Sequence, residues 1–252
     1  MNQKLRDVRV AILVGGAGTR LRPVLSDRPK ALAPVGNKTL LDYVLDNLLQ
    51  QGFRDIVLCV GYMKEKVREH IGKRSFPEGT TISFSEEENP LGTGGAIKKA
   101  LSGSPSEIVL VLNGDTLFPV DYGNFIKLHI EHNAHVSLCL KHMNDAGRFG
   151  TVHTDNDNKI VGFQEKTQKR EPGVINCGVY AFNKNIFNNF NMPETFSIEK
   201  DFFEKHIHTV SAYGFTFPDY FIDIGTPEDY QKAQDDLKNK PEGNEQYHTD
   251  VA

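Results

Sequence analysis

Residues Gly15-Gly16-Ala17-Gly18-Thr19-Arg20-Leu21-Arg22 set three glycines and two arginines directly after an apolar run. A glycine-rich backbone turns tightly and approaches a ligand closely. Its successive N–H groups form an anion-binding nest. Arg20 and Arg22 add guanidinium donors suited to phosphate oxygens. Lys30, in Arg28-Pro29-Lys30, sits where a returning loop brings a point charge to the same anion. The spacing excludes two familiar phosphate loops: a dinucleotide fingerprint needs glycine where Leu21 stands, and a P-loop needs Gly-Lys-Ser/Thr. A turn that merely connects elements is the plainer reading, but it leaves the arginines without a purpose.

A second cluster reads Glu86-Glu87-Glu88-Asn89-Pro90-Leu91-Gly92-Thr93-Gly94-Gly95-Ala96. Its glycines permit close backbone contact with a flat ligand, and the carboxylates before them can accept from a base. Guanine N1–H and N2–H₂ suit a carboxylate better than thymine or uracil does. The plainer reading of Glu86 to Glu88 is a solvated acidic turn. Two aspartates stand out. Asp115 follows a buried run in Asn113-Gly114-Asp115, and Asp223 lies among apolar residues in Phe221-Ile222-Asp223-Ile224-Gly225. A carboxylate in an apolar run is costly unless paired or metal-bound. Mg²⁺ takes one or two carboxylates plus phosphate oxygens and water, which this pair could supply. Alternatively, Asp223 caps the helix that follows it.

The elements that must position these groups follow from the pattern. Val8–Val14, Asp55–Val60, Thr81–Phe84 and Glu107–Leu112 read as strands. Leu40–Leu49, Lys64–Ile71 and Gly94–Leu101 read as helices between them. This alternation implies a parallel sheet covered on both faces. Ligands of such sheets bind at the carboxyl ends of strands, where the loops at Gly15, Asn113 and Gly225 lie. The second half differs: Val136–Leu140, Thr151–His153, Lys159–Glu165 and Val174–Phe182 are strands with few helices between them. Asn183–Phe190 and Ile198–His206 read as helical, Phe221–Ile224 as a short strand, and Pro227–Leu237 as a closing helix. We expect one domain over 1–238, with a nucleotide-binding half over about 8–135 and a substrate half over about 136–238. The polar stretch 239–252, with Pro241 and Gly243, is expected to be a disordered tail.

Composition narrows the class. A net charge of −4 over 252 residues gives no general pull toward nucleic acid or an anionic membrane. No apolar run approaches the roughly 20 residues that span a bilayer, and residues 1–7 lack a signal-peptide core. Cys59, Cys139 and Cys177 are scattered and form no CxxC, which fits a reducing cytoplasm and disfavours a disulfide or zinc framework. His129, His132 and His135 recur every third residue, but at a polar helix end with only Glu131 beside them. A solvated face is the better reading there than a metal site.

Taken together, Gly15-Gly16-x-Gly18-Thr19-Arg20-Leu21-Arg22-Pro23, Arg28-Pro29-Lys30 and Pro34-Val35 resemble the signature of nucleotidyltransferases acting on sugar 1-phosphates. The resemblance runs to about Leu237. It implies a Rossmann-like three-layer α/β/α sandwich with a mixed, mostly parallel sheet, of the nucleotide-diphospho-sugar transferase type. It implies that Leu13, Gly15, Gly16, Gly18, Thr19, Arg20 and Lys30 wrap the NTP phosphates. Glu87, Pro90, Gly92 and Thr93 would read base and ribose, beside Gly114 and Asp115. Arg20, Lys30 and Asp115 become the catalytic set, and Asp115 and Asp223 the Mg²⁺ ligands. Gly150, Glu165, Lys166, Asn176 and Gly178 become the sugar-phosphate site, with Lys166 on the phosphate and Glu165 and Asn176 on hydroxyls. On its own, Glu165-Lys166 could equally be a surface ion pair.

Segments Pro90–Lys98, Phe196–Phe202 and Tyr220–Tyr230 are most similar to the D-glycero-α-D-manno-heptose 1-phosphate guanylyltransferase branch. Arg22-Pro23, common in the wider superfamily, does not favour that branch. The resemblance implies GTP and that sugar phosphate as substrates, Mg²⁺ as cofactor, and bacterial surface polysaccharide as destination. A mannose or glucose 1-phosphate nucleotidyltransferase is the runner-up. A non-catalytic binding homologue would be expected to lose Arg20, Lys30, Asp115 or Asp223, and all four are present. A glycosyltransferase would carry Asp-x-Asp, which Asn113-Gly114-Asp115 is not. A homo-oligomer is compatible with the sequence.

Overall fold

The computed structural model describes residues 4–166 and 170–238. The expected tail, 239–252, lies outside the described residues. The VRVAILV run forms β1 (Arg9–Leu13), buried along most of its length. A small hairpin, β2 (Pro34–Val35) and β3 (Lys38–Thr39), leads into α1 (Leu40–Gln50). Thr39 and Asp42 close a capping box there, worth about 1 kcal/mol. Helix α1 buries Leu41, Val44, Leu45 and Leu48 as one apolar stripe. Then follow β4 (Asp55–Val60), α2 (Lys64–Gly72), β5 (Thr81–Glu86), α3 (Gly92–Ser102), β6 (Ile108–Asn113), β7 (Thr116–Leu117) and α4 (Tyr122–Glu131).

The second half contributes β8 (Val136–Met143), β9 (Thr151–Thr154), β10 (Ile160–Gln164) and β11 (Gly173–Asn183). A π-helical turn over Ile198–Phe203 runs into the single turn α5 (Glu204–His206). The chain closes with β12 (Ala212–Thr216), β13 (Ile222–Asp223) and α6 (Pro227–Leu237). Among the described residues one nine-stranded sheet runs β10-β9-β11-β6-β1-β4-β5, with β8 joined to β11 and β12. Strands β5, β4, β1 and β6 are mutually parallel, and β11 lies antiparallel to β6.

Alternate residues of the central strands feed two cores. Val10, Ile12, Leu110 and Leu112 pack under α1, α2, α4 and α6. Ala11, Val109 and Val111 pack under α3 and the 186–207 segment. Cover on both faces explains why these strands read as continuous apolar runs rather than alternating ones. The result is the three-layer α/β/α sandwich with a mixed sheet that the sequence implied. Among the described residues no helix is long and apolar enough to cross a membrane.

Three local expectations change. Asn183–Phe190 holds only a 3₁₀ turn at Ile186–Asn189, because the extended β11 runs on to Asn183. Strand β12 was not expected; Gly214 breaks its alternation, and it forms by parallel pairing with β8. Expected strand Phe221–Ile224 contracts to Ile222–Asp223, paired antiparallel with β7 rather than with the main sheet.

Candidate active site

The loop after β1 is anchored by wholly buried Leu21, which leaves Arg20 and Arg22 exposed. Gly18 adopts φ +56°, and a Cβ there would stand 2.7 Å from Lys30 Cγ. The Lys30 side chain therefore crosses the loop where only glycine leaves room. Its Nζ lies 2.5 Å from Asp115 Oδ2 and 4.0 Å from Asp223 Oδ1. Arg20 Nη2 approaches the same corner, 3.5 Å from where a Gly225 Cβ would be. Arg20, Lys30, Asp115 and Gly225 line a cavity of about 300 Å³, with Asp223 behind its wall in contact with Lys30. Of the residues expected to bind nucleotide, Leu13, Gly16, Gly18, Thr19, Arg20, Lys30, Thr93, Gly114 and Asp115 line it.

Asp223 reaches this place through β13. Its register sets Asp223 opposite Thr116, and Ile224 N–H donates to Asp115 C=O at 3.1 Å. The short ladder thus joins two carboxylates more than a hundred residues apart. The cap of α6 is Thr226, which accepts from Asp229 N–H, so Asp223 is not a helix cap. Burial, and then the charge of Asp115, push the Asp223 carboxyl up to about 6 against the pull of Lys30 and Lys166. Asp223 Oδ1 is buried without a hydrogen-bond partner, Lys30 Nζ standing beyond hydrogen-bond reach at 4.0 Å, an arrangement that leaves a costly unfilled acceptor. Two carboxylates, an unfilled acceptor and an adjoining phosphate loop fit Mg²⁺. Among the described residues no group of three or more His, Cys, Asp or Glu could hold a metal. Substrate oxygens and water could complete the shell of an ion held by this pair.

Glu87 is aimed at the first loop. Its Oε2 accepts from Leu91 N–H at 2.9 Å, and Oε1 lies 3.2 Å from where a Gly15 Cβ would be. Glu86 instead pairs with Lys64 at 2.8 Å and with Arg68, a surface cluster. The second glycine cluster has a further role. A Cβ at Gly92 would stand 2.5 Å from Phe196 C=O, one at Gly94 would overlap the Phe196 ring, and one at Gly95 the Glu194 C=O. On their Cβ side these glycines admit the 194–196 chain against α3, so packing within the chain is one requirement for them. Thr93 is drawn in too, its hydroxyl donating to Glu199 Oε2 and accepting from Ile198 N–H, both at 2.9 Å. Pro90 C=O accepts from Thr195 Oγ1 at 3.3 Å.

On the other side, β11 changes partner from β6 to β9 across a bulge at Asn176–Tyr180. Gly178 makes the bulge at φ +71°, and a Cβ there would meet Asn113 Nδ2 at 2.5 Å. Asn176 stabilises it, accepting from Gly178 N–H at 3.1 Å and donating to Tyr180 Oη at 2.9 Å. Gly150 lies under Phe163, and its C=O accepts from Asn176 N–H at 2.9 Å. Glu165 and Lys166 do not pair with each other; Glu165 N–H donates to Glu204 Oε1 at 2.8 Å. Exposed Lys166 lies near enough to Asp223 for its charge to be felt there.

The sequence reading put the loops at Asn113 and Gly225 at ligand-binding strand ends but assigned neither residue a role, and it gave none to Arg148. Asn113 lines the cavity with its Oδ1 buried and unpartnered. Gly225 borders the carboxylate pair. Arg148 grips Asp229 of α6 with both guanidinium ends and thereby ties the Gly150 loop to the Asp223 turn. Asn113 adjoins Gly114-Asp115, which was the signal that could have found it. The histidine reading is corrected at one position: His129 is buried, not solvated, hydrogen-bonded to Ser137 at 2.9 Å and Asn183 at 3.3 Å. Burial holds its imidazole down near 4, so it stays neutral.

Comparison with known proteins meets this geometry. Residues 9–240 match the family model described as nucleotidyl transferase. The chain is 46% identical over 228 residues to a D-glycero-alpha-D-manno-heptose 1-phosphate guanylyltransferase of Aneurinibacillus thermoaerophilus, covering 90% of this chain and 97% of that one. It is 42% identical to one of Campylobacter jejuni, with 88% and 97% covered. The crystal structure of HddC from Yersinia pseudotuberculosis complexed with GMP-PN superposes with a TM-score of 0.81 at 34% identity, covering 92% of this chain and all of that one. With its glycine loop, crossing lysine and joined carboxylates on the sheet these proteins share, the chain belongs to the nucleotidyl transferase family.

Proposed function

We propose that the chain transfers a guanylyl group from GTP to D-glycero-α-D-manno-heptose 1-phosphate, giving GDP-heptose and pyrophosphate. The observation that carries the chemistry is the meeting of Lys30, Asp115 and Asp223 at the mouth of the glycine loop. A sugar-phosphate oxygen attacks the α-phosphorus of GTP. One P–O bond forms, the bond to the β-phosphate oxygen breaks, and no enzyme-bound intermediate is needed. The protein's work is positioning and charge neutralisation. Arg20 and Lys30 hold the pyrophosphate side, and Lys166 the incoming sugar phosphate. Asp115 and Asp223 would hold Mg²⁺, which supplies Lewis-acid stabilisation of the phosphate oxygens. Glu87 Oε1 accepts from the guanine edge while Oε2 keeps the Leu91 turn in place. The choice of GTP and heptose is supported by the relatives above. Three free, buried cysteines support a cytoplasmic setting, and surface polysaccharide is the proposed destination of the product.

Pyrophosphate release from a panel of four NTPs against heptose, mannose and glucose 1-phosphates, with and without Mg²⁺, tests this. Metal-dependent release confined to GTP and the heptose is expected. Release with another pair overturns the substrate choice and keeps the chemistry, whereas no release with any pair sinks the enzymatic reading.

A further inference from the structure

Lys30 stands where the chemistry requires a metal. Its Nζ contacts Asp115 Oδ2 at 2.5 Å and reaches Asp223 Oδ1 at 4.0 Å, with the side chain largely shielded from solvent. Its alkyl chain is fixed by passage over Gly18. The other charges facing the carboxylate pair are Arg20 at Gly225, Lys166, Asp229 at the start of α6, and Arg148, which is paired with Asp229. Among these cations Lys30 alone is in ion-pair contact with both carboxylates. A free Mg²⁺ arriving here must displace an ammonium already in contact, while giving up part of a tightly held water shell. A nucleotide changes both conditions. Its phosphates offer Lys30 a substitute anion, and they supply oxygens of the kind Mg²⁺ prefers.

We infer that Lys30 is a placeholder counter-ion, occupying the metal's electrostatic place between Asp115 and Asp223 until nucleotide phosphates draw it away. Metal then binds with the nucleotide and not ahead of it, a coupling between two ligands carried by one side chain. This rests on the reading of the aspartate pair as the Mg²⁺ site and adds to Lys30 a task besides holding pyrophosphate.

Calorimetric titration of Mn²⁺, as a probe for Mg²⁺, into the nucleotide-free full chain at about pH 8 tests it. Wild type is expected to show no binding in the micromolar range. Lys30→Met should bind Mn²⁺ more tightly than wild type by about tenfold or more, and adding Asp115→Asn should abolish the gain. Equal or weaker binding by Lys30→Met, or a gain that survives Asp115→Asn, overturns the inference. Methionine keeps the alkyl chain over Gly18, and a thermal melt checks folding. Should that variant not fold, Lys30→Gln carries the same comparison. No turnover is read, so a wrong sugar or base would sink the proposed function and leave this result untouched.

Discussion

At the scale of single residues, the site is a balance of charge in a small space. Asp115→Asn removes one carboxylate while keeping its shape. kcat should fall by about 10²–10³ or more, with circular dichroism unchanged; wild-type turnover would mean that Asp115 holds no catalytic metal. Asp223 makes a second prediction. Burial and the charge of Asp115 push its carboxyl up to about 6 from the ordinary 3.8, so the folded state holds the proton more tightly. Folding of the metal-free protein is therefore helped at low pH, and that help is lost as pH rises from about 4 to 6. Asp223→Asn should raise stability at pH 8 by roughly 1–3 kcal/mol and do little near pH 4. Thermal melts across pH without metal read this directly. A variant less stable than wild type at pH 8 would show that the carboxylate is not strained.

At the scale of elements, close packing sets one requirement on the glycines of α3. Alanine inside a helix is ordinarily favoured over glycine by about 1 kcal/mol. At Gly95 the added methyl would run into the Glu194 carbonyl, a backbone atom that cannot swing aside. Overpacking of this kind costs about 1–3 kcal/mol, so Gly95→Ala should lower the urea midpoint; a raised midpoint would place the 194–196 chain elsewhere. The neighbouring π turn is part of the same joint, with Glu199 and Ser197 bonded to each other and to the start of α3 through Thr93. Glycine spacing alone could not distinguish a ligand's approach from that of another segment of the same chain, since both require only the absence of a Cβ.

At the scale of the whole molecule, the two halves share one sheet. Strand β11 belongs to the second half yet pairs along β6 of the first, from Val179 opposite Leu112 to Asn183 opposite Ile108. We therefore propose that the halves do not unfold separately. Denaturation followed by far-UV circular dichroism and by tyrosine fluorescence should give coincident single transitions, and separated midpoints would show two independent units. The sequence by itself determined the glycine loop, the buried parallel strands and the helices that cover them. Local chemistry specifies these: a backbone turn, an apolar run and a 3.6-residue stripe are all written within a dozen neighbouring positions. It also marked Asp115 and Asp223 as misplaced for their surroundings. Only the tertiary structure decided that they meet. That required β13 to pair with β7 rather than with the main sheet, and a two-residue strand carries no periodicity to read. The burial of His129 and the role of the α3 glycines were hidden for a related reason: His129 is held by Ser137 on the next strand and by the distant Asn183, and the glycines face the distant 194–196 chain, approaches that no local pattern encodes.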